Sequence, residues 1–428
     1  MRYCSTILLL SLAATPALGQ DTTAAGTDST LRVFFDCQGF GRGCDFDFMR
    51  TEIAFVDWVR QREDADVHIL ITTQETGGGG RAHSLAFIGV GRFGERVDTL
   101  QYFSGPADTE DDVRRGLARV IKLGLISYVA KTPAARAITL SYAAPARAAA
   151  RVHDPWDYWF FRVNVNGFLN GEKLIRFINL FGNISANRVT EDWKFQFNVS
   201  PSYNEGRFIF QTLDSAGTVV AEDTTISIAR SYGASALLAR SLTRHWSFGG
   251  RVEANRSTRR NHDLAIGAGP AIEYDIYPYT ESTRRLLTLT YSVTLNHFDY
   301  TDTTIYDKTE ETLARQSLNV SLQVSQPWGS MRLFLEGSSH LDNIRRNRVE
   351  LFGGVDVRLF RGLSFEVQGS VERVRDQINL PKAGASQTEV LLQRRELETS
   401  YRYFTFFGLS YTFGSKYNNI VNPRFDVF

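Results

Sequence analysis

Beyond Gly19, the 428-residue chain contains no run of about 18 uncharged apolar residues, which excludes an ordinary membrane-spanning helix. An excess of one charge is lacking too, since 48 Lys and Arg against 47 Asp and Glu leave a formal net charge of +1. No global field of the kind that attracts nucleic acid results, so nucleic acid is not expected as a partner. Cysteine is scarce, at Cys4, Cys37 and Cys44. None follows Gly19 directly, which argues against lipidation there. No common zinc spacing and no complete phosphate loop or dinucleotide fingerprint occurs, so neither a metal nor a cofactor is expected.

The first residues, MRYCSTILLLSLAATPALGQ, set Arg2 before the apolar run ILLLSLAA and close on mostly small residues at Ala17-Leu18-Gly19. This is the pattern of a cleaved secretory signal peptide over residues 1–19, with an apolar core too short for a hydrocarbon layer of about 30 Å. In an exported protein a disulfide is the simplest use of Cys37 and Cys44 in CQGFGRGC. Two free thiols, or a metal site completed by Asp45 or Asp47, are the alternatives.

Residues 30–145 read as a small α/β domain in the order strand, helix, strand, strand, strand, helix, strand. LRVFFDC is a short apolar run suited to a buried strand, and the segment after it places Met49, Ile53, Val56 and Arg60 at helical spacing. DVHILIT and HSLAFIGVG are strand-like runs joined by TQETGGGGRA, whose glycines supply positive φ for a turn. The helix after TLQYFSG opens at Asp108 or Thr109, with Glu110, Asp111 and Asp112 in the turn where the dipole favours acids. Val113, Leu117, Val120, Ile121 and Tyr128 form its apolar stripe, and AITLSYA closes the domain as a strand. GVGRFG matches a dinucleotide fingerprint only in spelling, because strand-like sequence follows the third glycine where a helix is required; it reads as a hairpin turn.

The stretch ADVHILITTQETGGGGRAHSLAFIGVG, followed by a helix with an acidic start, resembles the amino-terminal domain of TolB and its relatives. The resemblance covers about a hundred residues and implies a periplasmic docking module that binds a protein partner or packs on the rest of the chain.

Residues 146–154 carry no periodicity and read as a linker. From 155 to 414 the pattern becomes strict alternation in segments of roughly ten residues. In RLLTLTYSVTLN, Leu287, Leu289, Tyr291, Val293 and Leu295 alternate with Thr288, Thr290, Ser292, Thr294 and Asn296. LNVSLQVS and LSFEVQGSVE repeat this. Short connections (LTRH, QPWG, FRG) alternate with longer polar ones (FIFQTLDSAGTVVAED, RSTRRNHD, LDNIRRN, RDQINLPKAGASQTEVLLQRRELE), as they do at the two rims of an outer-membrane barrel. A soluble sandwich would have shorter strands and no such alternation of loops.

The charges choose the face. Lys194, Arg332, Glu336, Asp356, Arg358, Glu366, Glu372 and Arg402 all fall at polar positions, and placing them in lipid would cost up to about 2–4 kcal/mol near the midplane. They are expected to face a lumen. The fold class that follows is mainly β: a transmembrane antiparallel barrel of about 12 strands (about 10–14), closed to remove the edges that hydrocarbon does not tolerate. In RYFTFFGLSYTFGS the odd positions face lipid, while Phe404 and Phe406 point inward against the pattern. Gly408, Tyr411 and Phe413 resemble the terminal-strand signal read by the barrel-assembly machinery, although a tail over 415–428 continues past it.

Chemistry is sparse. Ser339 and His340 are adjacent on one strand and point to opposite faces, so they cannot share a proton. His297 and Asp299 share a face near a rim, the arrangement of a rim hydrogen bond more than of an omptin-like protease, and no catalytic residue is assigned. Arg256, Arg259, Arg260 and Arg345, Arg346, Arg348 fall in expected outer loops, either solvated or touching phosphates of outer-membrane lipid. The sequence thus points to a porin-like channel or transporter for small solutes in the outer membrane of a Gram-negative-type bacterium. A structural or tethering protein with a plugged barrel is the alternative reading, and an outer-membrane hydrolase a remote one.

Overall fold

A computed structural model describes residues 30–38, 44–94, 96–139, 155–278, 281–384, 396–417, 419 and 424. The expected signal peptide and linker lie outside the described residues, as does most of the closing strand AITLSYA, whose first residue ends a 3-10 turn at Pro133–Ala137. Two sheets organise the rest.

The smaller unit contains β1 (Arg32–Gln38), α1 (Phe46–Glu52), β2 (Asp57–Trp58), β3 (Val67–Glu75), β4 (Arg81–Gly89), β5 (Val97–Ser104) and α2 (Glu110–Val129). Its strand order is β2-β1-β3-β4-β5, with β1 parallel to both neighbours and the other pairs antiparallel. Thr109 caps α2 through a capping box with Asp112, and acids fill the first turn. The stripe from Val113 to Tyr128 is buried against the sheet, and Tyr128 Oη donates to the Phe87 carbonyl at 2.8 Å. Gly124 makes the close approach possible, since a Cβ there would sit 2.1 Å from the Phe87 ring.

The first helix is shorter than its apolar spacing implied. Met49, Ile53 and Val56 are all buried, but the chain leaves the helix at Ile53 (φ −120°, ψ 70°) so that Asp57–Trp58 can pair with β1. Helical spacing of three apolar residues is equally met by one short helix followed by an inward-facing strand. GVGRFG is the β4–β5 turn, as its sequence implied, with Gly91 at φ +56°.

Cys37 at the end of β1 and Cys44 just before α1 form a disulfide, Cα to Cα 6.3 Å, across a sequence separation of seven. A loop this short removes little unfolded-state freedom, so Cys37→Ser is expected to lower the stability of the small unit by about 2 kcal/mol in urea unfolding. Mass spectrometry of non-reduced peptides should find the linked pair; free thiols in protein taken directly from cells would contradict it.

The larger sheet has twelve antiparallel strands, each paired only with its neighbours in sequence. They are β6 (Trp159–Gly171), β7 (Ile175–Val189), β8 (Trp193–Leu213), β9 (Val219–Ser241), β10 (Trp246–Ser257) and β11 (His262–Asp275). The second half is β12 (Arg285–Tyr300), β13 (Glu310–Gln326), β14 (Gly329–His340), β15 (Asn347–Phe360), β16 (Leu363–Val374) and β17 (Tyr401–Tyr411). FIFQTLDSAGTVVAED, expected as a loop, is instead the far end of the β8–β9 hairpin, with a tight turn at Asp214–Thr218. Its β-branched and aromatic residues (Phe208, Ile209, Phe210, Thr212, Val219, Val220) favour the extended backbone that lengthens both strands.

This sheet is rolled, with its polar face concave. Side chains from β10 and β17 line one cavity of about 480 Å³, too small for the roughly 34 Å that seven strand spacings of about 4.8 Å would put between them on a flat sheet. The expected closure is absent: no pairing joins β6 to β17. Closing such a sheet requires strand tilt and stagger to bring the two edges into register, and here the edges approach a common partner at one end without forming a ladder.

That partner is the small unit. It meets the end of the rolled sheet where the connections LTRH, QPWG and FRG lie. Arg162 on β6 donates to the Gly79 carbonyl at 2.9 Å, Gln61 donates to the Thr412 carbonyl beyond β17, and Val59 forms an isolated bridge with Tyr417. The chain after β17 therefore returns to the small unit. Most notable is Asp36, 4% exposed: Arg358 from β15 grips both its oxygens at 2.7 Å, His68 lies at 3.1 Å, and the guanidinium stacks on Phe34 at 5.2 Å.

Burial by itself would raise the Asp36 carboxyl, yet the bonds from His68 and Arg358 outweigh it and hold the pKa below the usual 3.8. A carboxyl depressed in this way contributes stability that is complete above the ordinary carboxylate range and is lost as pH falls through the lowered value. Docking should hold from neutral pH down to about 4 and weaken below it. Amide exchange of β1 and β3, corrected for intrinsic rate, checks this; unchanged protection at strongly acid pH would contradict it.

Candidate functional site in the polar interior

The concave face is built by register. Lys194, Ala239, Gly249, Ala271, Ser292, Ser317, Ser338 and Arg348 follow one another laterally from β8 to β15, pair by pair. With period two along each strand, Arg332 and Glu336 on β14, Asp356 and Arg358 on β15, Glu366 and Glu372 on β16 and Arg402 on β17 share that face with Lys194. All eight charged residues singled out in the sequence are thus placed on one side of the sheet. The opposite side carries Leu289, Tyr291, Leu295, Leu318, Leu335, Val371 and Phe407, several of them well exposed.

The interior is not uniform. From β13 to β17 it is charged, and part of that charge is paired. Arg315 meets Glu336 at 2.9 Å, Arg348 meets Glu372 at 2.6 Å and Asp376 at 2.9 Å, and Arg402 reaches Glu396 at 3.2 Å and Glu372 at 3.7 Å. Arg348 was expected in a loop; it lies in β15 and is held by two acids. From β6 to β10 the same face is mostly neutral amide and hydroxyl, including Asn179, Asn183, Asn198, Ser200, Ser202 and Asn204, with Asn183 Nδ2 donating to Asn198 Oδ1 at 2.6 Å. In the sequence this neutral wall shows only as polar alternation, without the charges that mark the other half.

The first described part of the β16–β17 connection, residues 375–384, read from sequence as part of a polar outer loop, folds back into the opening. Gln377, Ile378, Asn379 and Leu380 are buried. The pattern INL looks unremarkable in sequence; its burial depends on side chains of other loops. Asn261, at φ 58°, donates to the carbonyls of Asp302 (2.8 Å) and Asn379 (3.0 Å). Asn379 Nδ2 in turn donates to the Arg260 carbonyl at 2.9 Å and to Glu396 at 3.0 Å. Thr304 and Pro381 add an isolated bridge. Three connections are stapled together above the interior.

Two cavities result. One of about 600 Å³ lies against the neutral wall, and one of about 480 Å³ lies against the charged wall. Arg259 and Arg260, in the turn after β10, border both. Arg256 is the last but one residue of β10 and pairs with Asp263 at 2.5 Å. Arg345 and Arg346 lie in the β14–β15 turn, where Arg346 reaches Asp342 at 3.7 Å and stacks over Tyr306.

The catalytic fragments stay apart or exposed. Ser339 accepts from Gln316 Nε2 at 3.2 Å, while His340, on the concave side, borders the smaller cavity. His297 and Asp299 are 3.4 Å apart, Glu310 gathers beside them, and His297 Nδ1 is taken by Thr312 at 2.8 Å. Gly408 faces the interior on β17 opposite Glu366, Tyr411 ends the strand, and Phe413 is exposed just past it. In comparison with known proteins, the chain matches no family model and no curated protein.

Proposed function

We propose that the chain is an integral outer-membrane protein whose twelve strands close β6 to β17 in the bilayer and serve as a channel or transporter for small solutes. One observation carries this reading: a rolled antiparallel sheet with an apolar convex face and a charged, cavity-bearing concave face. In hydrocarbon every strand edge must be paired, and an even strand number makes β6 and β17 antiparallel, so closure is geometrically allowed. The small unit, on the periplasmic side in this reading, caps one mouth and offers a docking surface for a periplasmic protein. The transport role leaves no part for the Ser339 and His340 pair, and we assign no catalysis.

A second reading has support of its own. The inward-folded β16–β17 connection and the docked small unit both narrow the passage, as a structural or tethering protein with a plugged barrel would have it. Planar-bilayer conductance separates the two. A transporter or channel should conduct, with larger steps in Arg358→Ala, which frees the docked unit; silence from both proteins, each shown to be inserted, would favour the plugged form.

A further inference from the structure

We infer that the larger cavity binds a hydroxylated small anion, of the sugar-acid or sugar-phosphate class. The inference rests on the solute-passage reading for its purpose, but its chemistry stands on the cavity. At about 600 Å³ the space lies in the range of about 300–1,000 Å³ typical of small-molecule sites.

Three kinds of group converge there. Arg259 and Arg260, exposed in the turn after β10, border the cavity with no ion-pair partner among the described residues, and Arg230 and Arg256 line it as well, Arg256 paired with Asp263. Guanidinium groups match carboxylate and phosphate oxygens in a two-pronged geometry. The opposite wall offers the amides of Asn179 and Asn204 and the hydroxyls of Ser200 and Ser202, which both donate and accept as sugar hydroxyls do. Between them stand Phe177 and Phe208, edge to face with centroids 5.6 Å apart, and Phe177 keeps 37% of its surface open. An aromatic face of this kind takes the apolar side of a sugar ring. The one acid among the described residues that line this cavity, Glu205, is already engaged by Tyr203 Oη at 2.5 Å.

Each element excludes a simpler ligand. A neutral sugar leaves two guanidinium groups unanswered. Inorganic phosphate leaves the rings and amides unused. A fatty acid would bring an apolar tail against the amides and hydroxyls, at a cost for each unsatisfied polar group.

The test uses the full-length protein in detergent micelles, titrated calorimetrically with D-glucuronate, glucose 6-phosphate, glucose and inorganic phosphate. At least one of the two anionic sugars should bind tenfold or more tightly than glucose and than inorganic phosphate; which of the two binds better identifies the acid group. Arg259→Gln/Arg260→Gln should weaken that binding at least tenfold, and Phe177→Ala should weaken anionic sugar without changing inorganic phosphate. Absence of anionic-sugar binding, equal binding of inorganic phosphate, or an unaltered double variant would overturn the site. If the variants fail to fold, the wild-type selectivity alone decides. Conductance is recorded separately: binding without conductance removes the passage reading and leaves the site, whereas conductance without binding does the reverse.

Discussion

Arg358→Ala should release the small unit from the rolled sheet. The substitution takes from Asp36, a carboxylate only 4% exposed, the guanidinium that grips both its oxygens, while His68 stays at 3.1 Å. Breaking a buried pair from one side typically costs about 3–5 kcal/mol, because the surviving charge stays desolvated. With His68 still present the lower end applies, so docking should weaken by about 3 kcal/mol, which is roughly a hundredfold. Asp36→Ala/Arg358→Ala removes the desolvated carboxylate along with the guanidinium and should recover much of that loss. A disulfide engineered between positions 59 and 417, which face each other as an isolated bridge, reports docking by its yield. High yield in the double variant and low yield in Arg358→Ala is the expected order; equal yield in both and in the parent would show that the Asp36 pair does not hold the unit in place.

A comparable effect is expected on the large sheet. Leu289→Arg and Val367→Arg each put a cation on the convex face, where a charge near the bilayer midplane costs about 2–4 kcal/mol. Thr290→Arg and Gln368→Arg turn the same charge inward. Thr290 already donates to Glu273 at 2.8 Å, so an arginine there finds an acid beside it, and Gln368 faces the same interior. Membrane-inserted, heat-modifiable protein should fall sharply for the first pair and little for the second. Equal damage from both pairs would refute the face assignment.

How much of this was legible in the sequence depends on how local the cause is. Period two in RLLTLTYSVTLN is a property of one strand, so the face of Leu289 and of Thr290 could be assigned without knowing any neighbour. The same holds for the stripe of α2 and for its acidic start, where the sequence offers Asp108 or Thr109 as the cap and the structure uses Thr109. Strand number was readable because every strand pairs only with the next in the chain. What could not be read is non-local. Asp36 lies 322 residues from Arg358, and nothing in RVFFDCQ marks its aspartate as the one gripped by the large sheet. The inward fold of the β16–β17 connection depends on Asn261 and Arg260, more than a hundred residues earlier. The neutral wall near Arg259 is not legible in the sequence, because single Asn and Ser residues in alternating strands signal only polarity until register stacks them. Phe404 and Phe406 broke the pattern in sequence and still do so in the fold. They face the concave side of β17, 59% and 46% exposed, on the strand that borders the open seam.

The central claim is that the convex face of the twelve-strand sheet lies against lipid and the concave face does not. A spin-label scan through residues 286–296 of β12, in protein inserted into bilayers, tests it most directly, with collision rates measured against oxygen, which partitions into hydrocarbon, and against a water-soluble nickel complex. Oxygen accessibility should peak at Leu287, Leu289, Tyr291, Val293 and Leu295, and nickel accessibility at the positions between them, with a period of two residues. Nickel access to the odd positions, or no alternation at all, would place the sheet in water and contradict the account.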